Sequence, residues 1–222
     1  MLVLFDLDDT LLDDGAATRL AAKLLHERVG SNLPFDSFHT AWGRALALHF
    51  PRYLAGHLTF QDQRRERLRQ VVDASLSDRE ADRLFDEYHA EYQASWSLFP
   101  DVLPCLRDLS DVRVGLITNG NGAQQRLKLR MTGLIERFVC VVISDECGFA
   151  KPNPQIFLHA CDAVGENPEN TIYVGDRYET DAVAARAAGL RGIWLDRRAE
   201  ATDQHLPPTI AALSDLSSLV RL

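Results

Sequence analysis

The chain begins with a short apolar run that ends abruptly in a group of acidic residues. Leu2–Phe5 is followed directly by Asp6, Asp8 and Asp9, with Leu7 between the first two and Thr10 after the last. A continuous apolar run of this length is typical of a buried strand in the middle of a parallel sheet. Such a strand delivers the residues that follow it to the carboxyl edge of the sheet, where open α/β folds bind ligands. Three carboxylates within four positions repel one another unless a cation or a proton offsets their charge, and Mg²⁺ is the usual partner of oxygen ligands. The stretch therefore predicts a cation site at a sheet edge, the alternative being a strand end that carries solvated acids.

Composition excludes several classes of protein. The 222 residues are 46% hydrophobic and 25% charged, which is ordinary for a globular protein, and the net charge of −8 disfavours a nucleic-acid partner. The apolar runs are shorter than the roughly 20 residues of a membrane span, and the acids at positions 6, 8 and 9 argue against a signal peptide. The four cysteines have no CxxC spacing, so we expect reduced thiols and a cytoplasmic protein.

Two patterns divide the chain. From about residue 15 to 96, apolar residues recur every three or four positions and predict four helices; the charged run from Gln63 to Arg69 is interpreted as a solvated helix face. After Pro100, apolar strands predicted at 112–118, 139–144, 171–174 and 192–195 alternate with helical patterns at 101–109, 122–131, 153–164 and 179–188. We therefore predict an α/β protein with a three-layer, Rossmann-like parallel-sheet core formed by residues 1–14 and 97–222. An all-helical cap domain, residues 15–96, is inserted after the first strand, where it would cover the acidic edge.

Each predicted strand of this core is followed by polar residues. They include Thr118 and Asn119 after the second strand, Lys151 in a later loop, and Asp176 and Asp181 after a strand near residue 174. Several carboxylates suit a cation, whereas a lysine, a hydroxyl group and amide donors suit a phosphate or another oxyanion. Phosphoryl transfer needs this combination of charge neutralisation and positioning.

Together these residues resemble a known superfamily. The set Asp6-x-Asp8-x-Thr10, Thr118, Lys151 and Gly175-Asp176-x₄-Asp181 is similar, in content and in order, to the four motifs of the haloacid dehalogenase (HAD) superfamily. The resemblance spans essentially the whole chain, helical cap included. In detail, the stretches ITNG, GFAKPNPQIF and VGDRYETD resemble the helical-cap phosphatase branch that holds nucleotide phosphatases and N-acylneuraminate-9-phosphatases.

The resemblance implies catalytic roles for four residues. Asp6 would be the nucleophile that forms an aspartyl-phosphate, and Asp8 the acid and base that protonates the leaving alcohol and then activates water. Thr118 would hold phosphoryl oxygens, and Lys151 would pair with both the phosphate and Asp6.

The resemblance also implies supporting roles. Thr10 would orient the first loop, and Asn119 would join Thr118 and Lys151 in binding the phosphate. Mg²⁺ would be held by Asp6, by the backbone carbonyl of Asp8 and by Asp176, with Asp181 beside the metal or reaching it through water.

The expected activity is that of a Mg²⁺-dependent phosphatase acting on small phosphate monoesters, either nucleotide-like or sugar-phosphate-like. A phosphomutase, that is, an isomerase similar to β-phosphoglucomutase, uses the same aspartates and Mg²⁺ and stays open as an alternative. A 2-haloacid dehalogenase is disfavoured because the family's dehalogenases lack the second acid, which is present here as Asp8. A catalytically silent binding protein would be expected to have lost a motif residue, and none is lost here. The expected partner is a small-molecule substrate, with neither nucleic acid nor membrane, and the expected state is a monomer, a dimer being left open.

Overall fold

A six-stranded parallel sheet forms the centre of the α/β part of the chain. The computed structural model describes residues 1–198 and 208–220. In sheet order β3-β2-β1-β4-β5-β6, all neighbours are parallel. The strands are β1 (Leu2–Phe5), β2 (Arg113–Thr118), β3 (Val141–Ile143), β4 (Thr171–Gly175), β5 (Arg191–Leu195) and β6 (Thr209–Ile210). The predicted α/β class with a parallel sheet is confirmed.

The chain divides into two compact units. The first consists of Met1–Asp13 and Leu98–Leu222, and the second of Asp14–Ser97. The α-helices of the first unit are α5 (Val102–Asp108), α6 (Gly122–Met131), α7 (Ser144–Cys147), α8 (Pro154–Val164), α9 (Ala184–Ala187) and α10 (Leu216–Val220). Those of the second are α1 (Asp14–Arg28), α2 (Phe35–Leu54), α3 (Phe60–Val71) and α4 (Asp78–Ala94). Each observed junction lies one residue from the predicted boundary.

Burial of β1 fixes the position of the acidic loop. All four residues of Leu2–Phe5 are fully buried, between β2 on one side and β4 on the other. Leu2 and Leu4 point to one face of the sheet, where they pack with α8 and with the residues around α9. Because both faces of the strand are covered, its apolar run has no alternation, and the residues after Phe5 must emerge at the carboxyl edge.

The helical unit has an aromatic core of its own. Trp42 is fully buried, with its ring centroid 4.9 Å from that of Tyr88 and 6.2 Å from that of Phe85. The capping box that Ser77 and Glu80 form at the start of α4 satisfies backbone donors there. None of the helices within residues 1–198 and 208–220 combines the length and the hydropathy needed to span a bilayer.

The charged run on α3 is only partly solvated, so that interpretation was wrong for two of its residues. Gln63 and Arg67 are buried, and the Arg67 guanidinium lies 4.3 Å from the centroid of the Trp42 ring. The guanidinium group is planar and weakly hydrated, so it stacks favourably on an aromatic face. The pattern of charges along the helix does not reveal such stacking. Arg65 and Arg69, by contrast, are partly exposed and form ion pairs with acids of α3 and α4.

Several local elements differ from the predicted ones. The strand expected at 139–144 is only Val141–Ile143, because Ser144 already begins α7. The helix expected at 179–188 is a π-helical turn, Tyr178–Val183, followed by the short α9. The two-residue strand β6 was not predicted, since two residues are too short to show any periodicity.

Candidate active site

Lys151 is the centre of a buried polar cluster at the carboxyl edge of the sheet. Its ammonium group lies 2.6 Å from Asp6 Oδ1, 2.6 Å from Asp181 Oδ1 and 2.8 Å from the Tyr173 hydroxyl, so its three N–H donors have three acceptors. Burial alone would lower the pKa of Lys151, but the carboxylates of Asp181 and Asp6 outweigh burial and raise it. Lys151 is therefore a charged ammonium group at any physiological pH.

Asn119 holds the backbone that carries this lysine. Its amide Nδ2 donates to the Lys151 carbonyl at 2.9 Å, and its Oδ1 accepts from the Lys151 N–H at 2.8 Å. The Lys151–Pro152 peptide bond is cis. The side-chain amide of Asn119 therefore holds the Lys151 backbone at both its N–H and its carbonyl group.

The loop after β1 is fixed from two sides. The Asp6 N–H donates to the Val174 carbonyl at 2.9 Å and extends the pairing of β1 with β4 by one residue. Farther along, the Thr10 carbonyl accepts from Arg197 Nη2 at 2.9 Å, and Arg197 also forms a two-pronged ion pair with Asp101. A segment 187 residues away in sequence thus holds the acidic loop in place.

Asp176 is positioned by Thr10 and by Trp194. The Asp176 N–H donates to Thr10 Oγ1 at 3.0 Å, and the Trp194 indole N–H donates to the Asp176 carbonyl at 2.9 Å. Burial, followed by repulsion from Asp181 and Asp9, raises the pKa of the Asp176 carboxyl to about 7. Burial also raises the pKa of Asp6, with Asp181 and Asp176 adding to the effect and Lys151 opposing it. The site therefore holds more negative charge than Lys151 neutralises.

The donor set fits a hard divalent cation. Carboxylate oxygens of Asp6, Asp176 and Asp181 lie within 4.8 Å of one another. Both oxygens of Asp181 are already acceptors, one from Lys151 and the other from the Arg177 backbone N–H at 3.0 Å, whereas within the described residues no donor bonds Oδ2 of Asp6 or of Asp176. Asp6 and Asp176 thus have an oxygen available for direct coordination, and Asp181 suits an outer position.

The close approach of Asp181 depends on a glycine. A Cβ placed on Gly175 would lie 2.5 Å from the Asp181 carboxyl group, so any larger residue would displace it. Asp181 lies in the π-helical turn, an element that occurs mostly as a single turn at functional sites. The turn directs its carboxylate back to the Arg177 N–H and to Lys151.

A second group of contacts surrounds Asp8. Gln125 Nε2 donates to Asp8 Oδ2 at 2.9 Å and to Thr118 Oγ1 at 2.8 Å, and Lys128 Nζ lies 2.6 Å from Asp8 Oδ1. Gln125 and Lys128 are both buried. They come from α6, the first helix after β2, which ends at Thr118.

The structure thus connects the sequence-predicted residues in two groups. Asp6, Lys151, Asp176 and Asp181 form one group, which Thr10 and Asn119 support through hydrogen bonds, and Asp8 and Thr118 form the other through Gln125. Sequence reasoning missed four contributors: Tyr173, Trp194, Gln125 and Lys128. Tyr173 carried a weak signal as a residue with a side-chain hydroxyl in the middle of an apolar strand, whereas the other three carried none.

Asp176 gives a prediction for the metal-free protein. Its folded-state pKa of about 7 lies above the ordinary 3.8, so the folded state binds more protons than the unfolded chain between these values, and stability is lost as pH rises through that window. Asp176→Asn keeps the shape and removes this loss. We compare the melting temperature of the variant with that of wild type in the presence of a chelator. The difference, variant minus wild type, should be roughly 5 °C larger at pH 7.5 than at pH 5. Mg²⁺ at pH 7.5 should stabilise wild type more than the variant. Thermal unfolding at both pH values measures this, and a difference independent of pH would refute the electrostatic account.

The parallel sheet and the acids clustered at its carboxyl edge form a site of the kind the motifs resemble. A family model for haloacid dehalogenase-like hydrolases matches residues 1–189. The chain belongs to this family of hydrolases, which confirms the resemblance.

Relatives and solved structures agree with this assignment. The chain is 30% identical over 233 residues to a phosphoserine phosphatase of Thermus thermophilus, covering 94% of each chain. It is 31% identical to a glyceraldehyde 3-phosphate phosphatase of Methanopyrus kandleri, covering 88% of this chain and 83% of the relative. The fold matches that of the HAD hydrolase YfnB from Bacillus subtilis, crystallised with magnesium, at a TM-score of 0.81 and 23% identity, covering 100% and 98% of the two chains. Crystal structures of 2-haloacid dehalogenases share the fold as well, so the fold alone does not separate the two activities.

Proposed function

We propose that this chain is a Mg²⁺-dependent phosphatase that hydrolyses small phosphate monoesters through an aspartyl-phosphate on Asp6. The observation that carries the proposal is the pairing of Asp6 with the buried Lys151 beside two further carboxylates, with Asp8 two residues away. Phosphatase relatives that cover most of this chain support it. The substrates named for these relatives, phosphoserine and glyceraldehyde 3-phosphate, differ from each other, so we propose the class of phosphate monoesters and no single ester.

Asp6 is the proposed nucleophile. One carboxylate oxygen accepts from Lys151, which fixes the side chain that would attack phosphorus. The Asp6–phosphorus bond forms as the bond from phosphorus to the leaving oxygen breaks, and Lys151 offsets the repulsion between two anions. Thr118 and the backbone N–H of Asn119 are proposed to hold the other phosphoryl oxygens.

Asp8 is the proposed acid and base. It gives a proton to the leaving alcohol in the first half-reaction. In the second half it takes a proton from the water that attacks the aspartyl-phosphate, which releases inorganic phosphate and restores Asp6. A dehalogenase needs no such acid for its leaving group, because a halide leaves without a proton. The presence of Asp8 therefore favours a phosphatase over a 2-haloacid dehalogenase.

Mg²⁺ is the proposed metal, held by Asp6, the Asp8 backbone carbonyl and Asp176, with Asp181 behind them. When bound it would neutralise charge on the phosphoryl group and on the carboxylates. The raised pKa values of Asp6 and Asp176 support a resident cation, because they mark negative charge that Lys151 alone does not balance.

Phosphate release from a panel of esters tests the proposal. The panel comprises nucleoside monophosphates, sugar phosphates, phosphoglycolate and an aryl phosphate, each with Mg²⁺ and with a chelator. We expect release that requires Mg²⁺. The phosphomutase alternative predicts no release, and instead conversion of a hexose 1-phosphate to the 6-phosphate in the presence of a trace of hexose bisphosphate, which phosphorus NMR detects. A small-molecule substrate, a cytoplasmic location and a monomeric state remain proposals that accompany this one.

A further inference from the structure

Helix α6 presents two buried donors to the carboxylate of Asp8. Lys128 Nζ lies 2.6 Å from one oxygen, and Gln125 Nε2 donates to the other at 2.9 Å. The two donors are three residues apart and therefore share one face of the helix, one turn from each other. Both oxygens of Asp8 are thereby held by groups that come from 117 and 120 residues farther along the chain.

The burial of Lys128 makes this pairing unusual. Its side chain is 1% exposed, whereas a lysine on a crossover helix ordinarily keeps its ammonium group in water. A buried ammonium group is costly unless a carboxylate and hydrogen bonds compensate it. The Asp8 carboxylate, 2.6 Å from Lys128 Nζ, supplies compensation of this kind.

Gln125 connects Asp8 to the proposed phosphate site. The same amide nitrogen that donates to Asp8 also donates to Thr118 Oγ1 at 2.8 Å, and Gln125 is 1% exposed. The Thr118 hydroxyl itself donates to the Asn119 carbonyl at 3.4 Å. A single side chain therefore contacts both the proposed phosphate-binding hydroxyl and the proposed acid–base carboxyl.

We propose that Gln125 and Lys128 are positioning residues that hold the carboxyl group of Asp8 where it exchanges protons with the leaving group and with water. The inference rests on the proposed phosphatase function. Neither residue needs to touch the substrate. Without them, Asp8 remains in the loop, but each oxygen of its carboxyl group loses the donor that α6 supplies.

Leaving-group dependence tests this role. Release of an alkoxide needs a proton, whereas 4-nitrophenolate leaves readily without one, and kcat/KM reports the steps up to formation of the aspartyl-phosphate. For Lys128→Met and Gln125→Met we expect kcat/KM on the best alkyl ester of the panel to fall by about 10²-fold or more, the scale of lost acid catalysis. On 4-nitrophenyl phosphate kcat/KM should stay within about tenfold of wild type, while kcat falls because water attack on the aspartyl-phosphate also needs Asp8. Rapid acid quenching should then show phosphoenzyme accumulating with the aryl ester.

Two further variants sharpen the result. Lys128→Arg keeps the cation and should recover part of the alkyl-ester activity. Arg126→Met lies on the same helix, where Arg126 pairs with Glu146 at the surface, and should behave as wild type. The Mg²⁺ concentration at half-maximal activity should not change in any of them.

The outcomes separate the two proposals. Equal losses on alkyl and aryl esters, or no loss in either variant, would overturn the positioning role while leaving the phosphatase intact. Thermal unfolding of each variant shows whether a loss of activity comes from misfolding. If the methionine variants misfold, the alkyl and aryl esters are compared with Lys128→Arg alone. A wild-type protein that hydrolyses no ester would instead remove the proposed function, and this inference with it.

Discussion

Asp6→Asn is expected to abolish turnover while the protein stays folded. The substitution keeps the shape of the side chain and an oxygen that can accept from Lys151, but an amide does not attack phosphorus. We expect kcat to fall by roughly 10⁵-fold or more, the scale seen when a nucleophile that acts as part of a unit is removed. Since burial raises the pKa of Asp6 and neighbouring carboxylates raise it further, a neutral side chain should be tolerated there without loss of stability.

Three measurements check this prediction. Steady-state phosphate release gives the rate, and thermal unfolding without metal should give a melting temperature at or above that of wild type near pH 7.5. Acid quenching of wild type with a phosphorus-labelled ester should trap a protein-bound phosphate that hydroxylamine releases and that the variant lacks. Asp6→Ala serves as a second variant, because an asparagine can deamidate back to the active residue. Activity within about tenfold of wild type in both variants would show that Asp6 is not the nucleophile.

The sequence predicts the cluster around Asp6 because its members follow strands. A buried parallel strand delivers its next residue to one sheet edge, so Asp6 after β1 and Asp176 after β4 had to lie near each other once the two strands were recognised as neighbours. Lys151 follows no strand directly, and its place depended on the family resemblance. The clamp between Asn119 and the Lys151 backbone explains how a loop residue reaches the same point.

The contacts of Asp8 could not be predicted from the sequence. Gln125 and Lys128 lie in an amphipathic helix, where a glutamine and a lysine are ordinarily solvated, and their burial follows from packing that no local pattern encodes. The same holds for Trp194, whose indole N–H meets a carbonyl 18 residues before it only because β4 and β5 are paired. The π-helical turn, Tyr178–Val183, was not predicted either, since a single turn is too short for its period to be distinguished from that of an α-helix.

Lys151→Met is expected to reduce both activity and stability, and the loss of stability is expected to depend on pH. The ammonium group is 2.6 Å from both Asp6 and Asp181, and all three side chains are buried. Removing one partner of a buried ion pair leaves the other charges uncompensated, which typically costs about 3–5 kcal/mol. For a chain of this length, that corresponds to a fall in melting temperature of roughly 10 °C near pH 7.5.

The difference in stability between wild type and Lys151→Met should become smaller as the pH falls. Without Lys151, Asp6 loses its counter-charge and Asp176 keeps only the opposing charge of Arg177, so burial and mutual repulsion raise the folded-state pKa values of both carboxyl groups further. Groups whose folded-state pKa is raised contribute stability that is present at low pH and lost as pH rises, so the variant should lose more stability than wild type between pH 5 and pH 7.5. Mg²⁺ should restore part of the stability, because a cation offsets the same charge, but should not restore turnover. Lys23→Met, at an exposed lysine of α1, is the matched control and should melt like wild type at both pH values. A deficit in Lys151→Met that is the same at pH 5 and pH 7.5 would mean that the lysine stabilises the site by packing and not by balancing its carboxylates.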